Sequence, residues 1–351
     1  MRLVPIKHLK EDSCIAINVI SNEGKLLLKG GQKISSRGIE TLTNVGVSYV
    51  YIRDEYCFNN DPPKYMTDID KMYELTGKLR GIANRIITGK SSRNDLILAT
   101  SLAEQIVTSM LLVKDTFKIS YEPSKLVVNS TVEQTIYVAI MSTALGAKMG
   151  LSNERLVKLC LSALLKDTAL VSSKMNGGNR NSYKLHPSIG YEYLKKTYNM
   201  DEEILQGILQ HHERSDGSGY PNKLKGPEIC EFAKIISIVE CFYELKSDHT
   251  LLERSHGVFE GTLKKILRSF DTKVLGYFLK NTEIFTLDTL VRLNNEDLAV
   301  IIKNGIENPF KPTIRIVQSK KFSEGEILDL QEHNQLSIRN IEYYVPSSKK
   351  S

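Results

Sequence analysis

Three of the seven histidines, His186, His211 and His212, fall in one middle segment of the 351-residue chain. The second and third open the run His211-His212-Glu213-Arg214-Ser215-Asp216-Gly217-Ser218-Gly219-Tyr220-Pro221. Imidazole is the commonest side-chain ligand for transition metals. Successive residues of a helix diverge by about 100°, so adjacent histidines cannot point the same way. Both still reach a metal centre lying off the helix end. Gly217 and Gly219 admit positive φ and close approach of a ligand, and Pro221 stiffens the exit. Read alone, the segment fits equally well a helix end followed by a tight loop with two incidental histidines.

The elements that must position these side chains are helices. Asn153 to about Leu165 places Leu156, Cys160 and Ala163 on one stripe, with Asp167 four residues further on the same face. Asp201 to about Glu213 aligns Leu205, Leu209 and His212 in one row, and Ile204, Ile208 and His211 in another. A third helix, about Glu231 to Leu245, holds Glu240 in register with Ile236. Each stripe thus ends on a polar, metal-capable side chain. Burying such groups is costly unless they are paired, hydrogen-bonded or coordinating a metal.

Around this core the pattern changes. Residues 1–58 read as a β-rich unit with runs at Cys14–Ile20, Lys25–Leu28 and Val47–Ile52, turns at Asn22-Glu23-Gly24 and Gly30-Gly31, and a short helix over Ser35–Val45. Residues 59–122 read as a helical connector that starts in a linker with Pro62 and Pro63, and residues 123–285 as the helical core. Residues 286–351 form a β-containing tail with runs at Thr289–Leu293, Leu298–Ile302 and Thr313–Val317. The fold class is mainly α, an all-helical core between small β-rich terminal units. With 41% apolar and 25% charged residues, the composition excludes a disordered, collagen-like or disulfide-scaffold chain. The net charge of +6 suits a small anionic ligand and does not mark a nucleic-acid polymer binder. Apolar runs such as Leu159–Leu165 are too short to span a bilayer, and Met1–Lys10 lacks the apolar stretch of a secretory signal. Five cysteines without CxxC spacing suit free thiols in a reducing cytoplasm. His8, His256 and His333 are isolated and read as surface or loop residues.

The middle segment and its surroundings resemble the HD-GYP family of metal-dependent phosphodiesterases, which hydrolyse the bacterial second messenger cyclic di-GMP. His186-Pro187-Ser188-Ile189-Gly190-Tyr191 looks like the family's HPxxG(Y) element, and His211 to Pro221 like its HHExxDGxGYP signature. Leu224-Lys225-Gly226 with Ile229 continues as the family does, and Ala233–Leu245 is similar to the helix that ends ADVYDAL. The flanks Met1-Arg2-Leu3-Val4-Pro5 and Asn308-Pro309-Phe310-Lys311-Pro312 are also similar, so the resemblance covers nearly the whole chain. It implies an HD-type helical fold and a site built on divalent metal ions.

The departures fall where that chemistry would occur. The family's His-Asp pair, followed by Ile-Gly-Lys, corresponds here to Lys166-Asp167-Thr168-Ala169-Leu170. An upstream histidine of the family aligns with Gln134, its late aspartate ligand with Glu240, the second aspartate of its ADVYDAL helix with Tyr243, and its basic phosphate-holding stretch with His249-Thr250-Leu251-Leu252. By resemblance, one ion (Fe, Mn or similar) would be held by Asp167, His186, His211 and His212, with Glu240 reaching in on a longer arm. The neighbouring set reads Gln134, Lys166, Asp167 and Glu240, and an ammonium only donates hydrogen bonds, so a second metal is not expected. Lys166 is expected near that second position, neutralising Asp167 and Glu240; the alternative is a surface lysine favourable to a helix C-terminus. No catalytic residue is assigned, since Lys166 and Leu170 replace the family's histidine and lysine. The expected function is a degenerate module with little or no hydrolysis. It would bind cyclic di-GMP, a related nucleotide or a signalling protein such as a diguanylate-cyclase-type domain, through Asp216, Gly217, Gly219, Tyr220 and Pro221. The alternatives are an active cyclic di-GMP phosphodiesterase and a scaffold that binds no nucleotide.

Overall fold

The computed structural model describes residues 1–20, 26–47, 49–58, 78–79, 81–86, 90–115, 117–120, 131–170, 183–247, 265–305 and 308–345. The turn at Asn22-Glu23-Gly24, the proline linker, His249–Leu252 and His256 lie outside these residues. The N-terminal unit contains β1 (Arg2–Pro5), β2 (Cys14–Ile15), β3 (Val19–Ile20), β4 (Leu26–Leu28), α1 (Ser36–Val45) and β5 (Tyr49–Arg53). Its sheet has the order β1-β5-β2, with β1 antiparallel to β5 in the register Arg2↔Ile52. The hydrophobic pattern does not announce β1, because its first residue is a buried charge. Arg2 is held by Asp54 at 2.5 Å, an ion pair between sequence-distant residues.

The helical core begins with α2 (Arg93–Val113), whose first turn carries a reciprocal capping box between Ser92 and Asp95. Its stretch Arg93–Leu112, with mean hydropathy 1.3, is longer and more apolar than the runs singled out from sequence, and by length and composition it meets the measure of a membrane span. Ala99, Leu102, Ala103 and Ile106 of this helix are buried in the core, whereas Ile97, Leu98 and Leu112 are exposed. After β6 (Ile119–Ser120) come α3 (Thr131–Lys148), α4 (Asn153–Leu165), α5 (His186–Tyr198), α6 (Glu202–Gln210), α7 (Glu231–Ser247) and α8 (Thr272–Asn281). Ser152 caps α4 through Arg155 N, and Asp201 caps α6 through Glu203 N. The predicted helix to about Glu213 stops at Gln210. Glu213 N bonds back to Gln210 O at 2.8 Å in a turn, which releases His212 and Glu213 from the helical rows.

The tail holds β7 (Thr282–Glu283), which pairs with β6, and then β8 (Leu290–Leu293), β9 (Leu298–Lys303), β10 (Thr313–Gln318), β11 (Ile327–Asp329) and β12 (Ile338–Glu342). The last five form one antiparallel sheet in the order β11-β10-β9-β8-β12. Val291, Ala299, Ile301 and Ile314 of this sheet join the same core as the helices, whereas the N-terminal unit has its own cluster, against which Tyr343 and Tyr344 pack.

The helices that deliver the site residues meet closely at Gly207 on α6. A Cβ there would overlap Ser162 Oγ and lie 3.1 Å from Phe232 Cβ, while Ser162 Oγ donates to Ile204 O at 2.8 Å. Gly207→Ala is therefore expected to push α6 away from α4 and α7 and to cost about 1–3 kcal/mol. Urea unfolding followed by circular dichroism should show a lower midpoint with an unchanged slope.

Candidate metal centre

Four chain segments converge on one buried cluster. Past the end of α4, a turn held by Thr168 N→Leu165 O (3.1 Å) and Leu170 N→Asp167 O (3.0 Å) turns Lys166 and Asp167 inward. His186 begins α5, where Pro187 occupies a first-turn position that needs no N–H partner. His211 caps α6, His212 follows it, and α7 supplies Glu240. Lys166, His186 and His211 are fully buried; Asp167, Glu240 and His212 are nearly so.

Within the cluster, His186 Nε2 and His211 Nε2 lie 3.2 Å apart. Asp167 Oδ1 is 3.5 Å from the first and 3.9 Å from the second. His212 Nδ1 lies 3.9 Å from Glu240 Oε2. The other oxygens of the two carboxylates are engaged elsewhere: Lys166 Nζ donates to both Asp167 Oδ2 and Glu240 Oε1. Gln134 Nε2 adds a longer bond to Glu240 Oε1 at 3.3 Å. Each carboxylate therefore gives one oxygen to the ammonium and turns the other toward the imidazoles.

Charge and protonation follow from burial. Loss of water pulls His211 down to about 4 and lowers His186 and His212 as well, so all three rings are neutral at pH 7. Burial also opposes the charge on Lys166, but Asp167 and Glu240 outweigh it and hold the ammonium protonated. Burial likewise works against ionising Glu240, and Lys166 overcomes it.

The ring nitrogens decide whether a metal fits. His186 Nδ1 lies 2.7 Å from Tyr183 O, and His211 Nδ1 lies 2.6 Å from Ile208 O. A carbonyl only accepts, so each Nδ1 carries the proton and each Nε2 keeps its lone pair. Two lone pairs facing each other at 3.2 Å repel unless a cation lies beside both. Among the described residues, His212 Nε2 and Glu240 Oε2 are buried without a hydrogen-bond partner. His186, His211 and His212 bring ligand atoms within 4.8 Å of one another, and so do Asp167, His211 and Glu240. These residues fit one divalent ion with nitrogen-rich ligation. The position between Asp167 Oδ2 and Glu240 Oε1 does not fit a second, because an ammonium stands there.

Residues 126–256 match the model of the HD domain, and residues 290–342 that of a KOW domain associated with the HD domain. The chain carries an HD domain. It is 27% identical over 228 residues to the cyclic di-GMP phosphodiesterase PdeB of Borreliella burgdorferi, a match covering 62% of this chain and 58% of that protein. It is 34% identical over 110 residues to the cyclic di-GMP phosphodiesterase response regulator RpfG of Xanthomonas campestris pv. campestris, covering 28% of this chain and 29% of the relative. Less than two thirds of the length of either relative is therefore matched. Among solved structures, an HDG"Y"P protein from Bdellovibrio bacteriovorus aligns with 79% of this chain and 97% of its own at 15% identity and a TM-score of 0.47.

The loop after α6 orients the cluster. Gly219 packs against the backbone of Glu213 and Arg214 so closely that a Cβ would overlap both, and Gly217 sits at φ +80°. Tyr220 N donates to His212 O at 3.2 Å, and its ring stacks on the His212 ring with centroids 4.6 Å apart. Pro221 follows, half-buried. Asp216 is exposed, and its Oδ1 accepts from Ser218 N (2.9 Å) and Ser218 Oγ (2.6 Å), so it shapes the loop. Leu170 is half-buried at the end of the Asp167 turn, and the Tyr243 ring lies tilted by 46° against that of Tyr137 with centroids 5.0 Å apart.

Two contributors were not assigned from sequence. The Tyr183 carbonyl sets the His186 tautomer, and nothing in the sequence marks a backbone acceptor. Glu213 is buried and accepts from Asn222 N at 2.6 Å and Leu224 N at 3.0 Å; its place beside the histidine pair was the available signal. Glu213→Ala should leave both N–H groups unpaired. Amide hydrogen exchange at Asn222 and Leu224 should then lose most of its protection while α4 amides keep theirs.

Proposed function

We propose that this HD-GYP chain is a cyclic dinucleotide module, with cyclic di-GMP its first ligand, that holds one divalent ion and hydrolyses the nucleotide little or not at all. The observation that carries this reading is the Lys166 ammonium shared between Asp167 and Glu240. Phosphodiester hydrolysis requires a base for the attacking water and concentrated positive charge on the phosphoryl oxygens. A divalent ion held by Asp167, His186, His211 and His212 would supply Lewis-acid polarisation of one phosphoryl oxygen. Lys166 cannot act as the base, because the two carboxylates it bridges hold it protonated. Leu170 offers no charge where the resemblance expects a lysine.

A nucleotide, rather than a protein partner, is the ligand the site favours. Tyr183 stands half-exposed with its ring centroid 5.1 Å from that of His186, and Lys184 Nζ lies 5.8 Å from the Tyr220 ring centroid. Aromatic faces and a cation beside a metal centre suit bases and phosphates. All five cysteines are free thiols, which supports a reducing, cytoplasmic setting.

With Mn²⁺ or Fe²⁺ present, release of linear dinucleotide or GMP is expected to stay at the level of an Asp167→Ala control, while calorimetry registers cyclic di-GMP binding to the unaltered protein. Turnover well above the control would establish a working phosphodiesterase instead. A flat titration would leave a scaffold.

A further inference from the structure

We propose that Lys166 is a tethered cation that sets the metal stoichiometry of this chain at one, and that removing it opens a second, oxygen-lined site for a hard divalent ion. The inference rests on the one-metal reading above and specifies what excludes the second ion. Lys166 Nζ is fully buried and lies between Asp167 Oδ2 and Glu240 Oε1. The Gln134 side chain reaches the same Glu240 oxygen at 3.3 Å from the opposite helix, α3. An ammonium at that point takes the place a small divalent ion would take: it bridges the two carboxylates, holds one oxygen of each and offsets one of their two charges. It differs in taking no lone pairs, so it excludes a metal while preserving the cluster's geometry.

The local charges support the count. Lys166 balances one of the two carboxylates, and the carbonyls of Tyr183 and Ile208 hold the His186 and His211 protons on Nδ1, so each Nε2 presents a lone pair and no charge. One negative charge remains, shared by Asp167 Oδ1 and Glu240 Oε2, which face the rings. A single divalent ion among the imidazoles satisfies that remainder. Without the lysine, two buried carboxylates are left beside one ion, and the second position has oxygen donors from Asp167, Glu240 and, after an amide flip, Gln134. Carboxylate and amide oxygens select Mn²⁺ or Mg²⁺ over softer metals, whereas the imidazole set suits Fe²⁺, Zn²⁺ or Mn²⁺.

The test counts metal in the full chain without nucleotide. Protein loaded anaerobically with Mn²⁺ and desalted should carry one ion per chain by elemental analysis, with the six-line paramagnetic resonance spectrum of an isolated ion. Lys166→Ala should carry two, with an exchange-coupled spectrum, and Lys166→Arg, which keeps the cation, should stay at one. Lys166→His replaces the cation with a neutral imidazole donor on a shorter arm and provides the same reading if Lys166→Ala folds poorly. Two ions in the unaltered protein would overturn the inference. So would a count of one in both Lys166→Ala and Lys166→His with native helical circular dichroism. If neither variant folds, Lys166→Gln, which keeps a hydrogen-bonding side chain without the charge, takes their place: two ions support the inference and one overturns it. A flat nucleotide titration would remove the proposed ligand and leave these counts standing, so the two failures are distinguishable.

Discussion

The buried ion triad of Lys166, Asp167 and Glu240 is the constraint around which the core is arranged. A charge moved from water into a protein interior is strongly disfavoured unless it is paired and hydrogen-bonded. Here a single ammonium is shared by two carboxylates, one from the turn after α4 and one from α7. The two segments must therefore stay in register, or a charge is left unpaired. Such a triad is not by itself a source of stability, since well-packed apolar side chains can do as well. What it specifies is geometry: it turns one oxygen of each carboxylate toward the histidines.

The imidazole cluster depends on that geometry and on a set of backbone anchors. Carbonyls of Tyr183 and Ile208 hold two rings in one tautomer, so their inner nitrogens present lone pairs to the same space. The loop after α6 supplies the third anchor. Glu213 gathers two loop N–H groups, Gly219 lets the chain double back over Glu213, and Tyr220 is thereby laid on His212. Helix packing at Gly207 and the bond from Cys230 N to Gln210 Oε1 (2.7 Å) tie α6 to its neighbours, which fixes where the paired histidines emerge.

The terminal units serve the core differently. The five-stranded KOW sheet shares its hydrophobic cluster with the helices and extends the core. The N-terminal unit folds around its own cluster and meets the tail through aromatic and cationic contacts: His8 stacks on Tyr343 with centroids 4.7 Å apart, and Arg2 lies 5.3 Å from the Tyr344 ring centroid.

Much of this was legible in the linear sequence, for a physical reason. Helical periodicity depends on local spacing, so α4 over Asn153–Leu165, α6 up to Gln210 and α7 with Glu240 could be read from their apolar rows. The type of each candidate ligand was equally visible, as was the lysine standing where the resemblance placed a histidine. Other features had no local signal. Strand β1 hides its pattern behind a buried Arg2 whose partner Asp54 is distant in sequence, and the stop of α6 depends on where Glu213 finds its partners. By itself the sequence determined which groups could ligate and which could not. Only the tertiary structure decided how each carboxylate divides its two oxygens, because that choice depends on an ammonium and three rings delivered by different segments to one dry point in space.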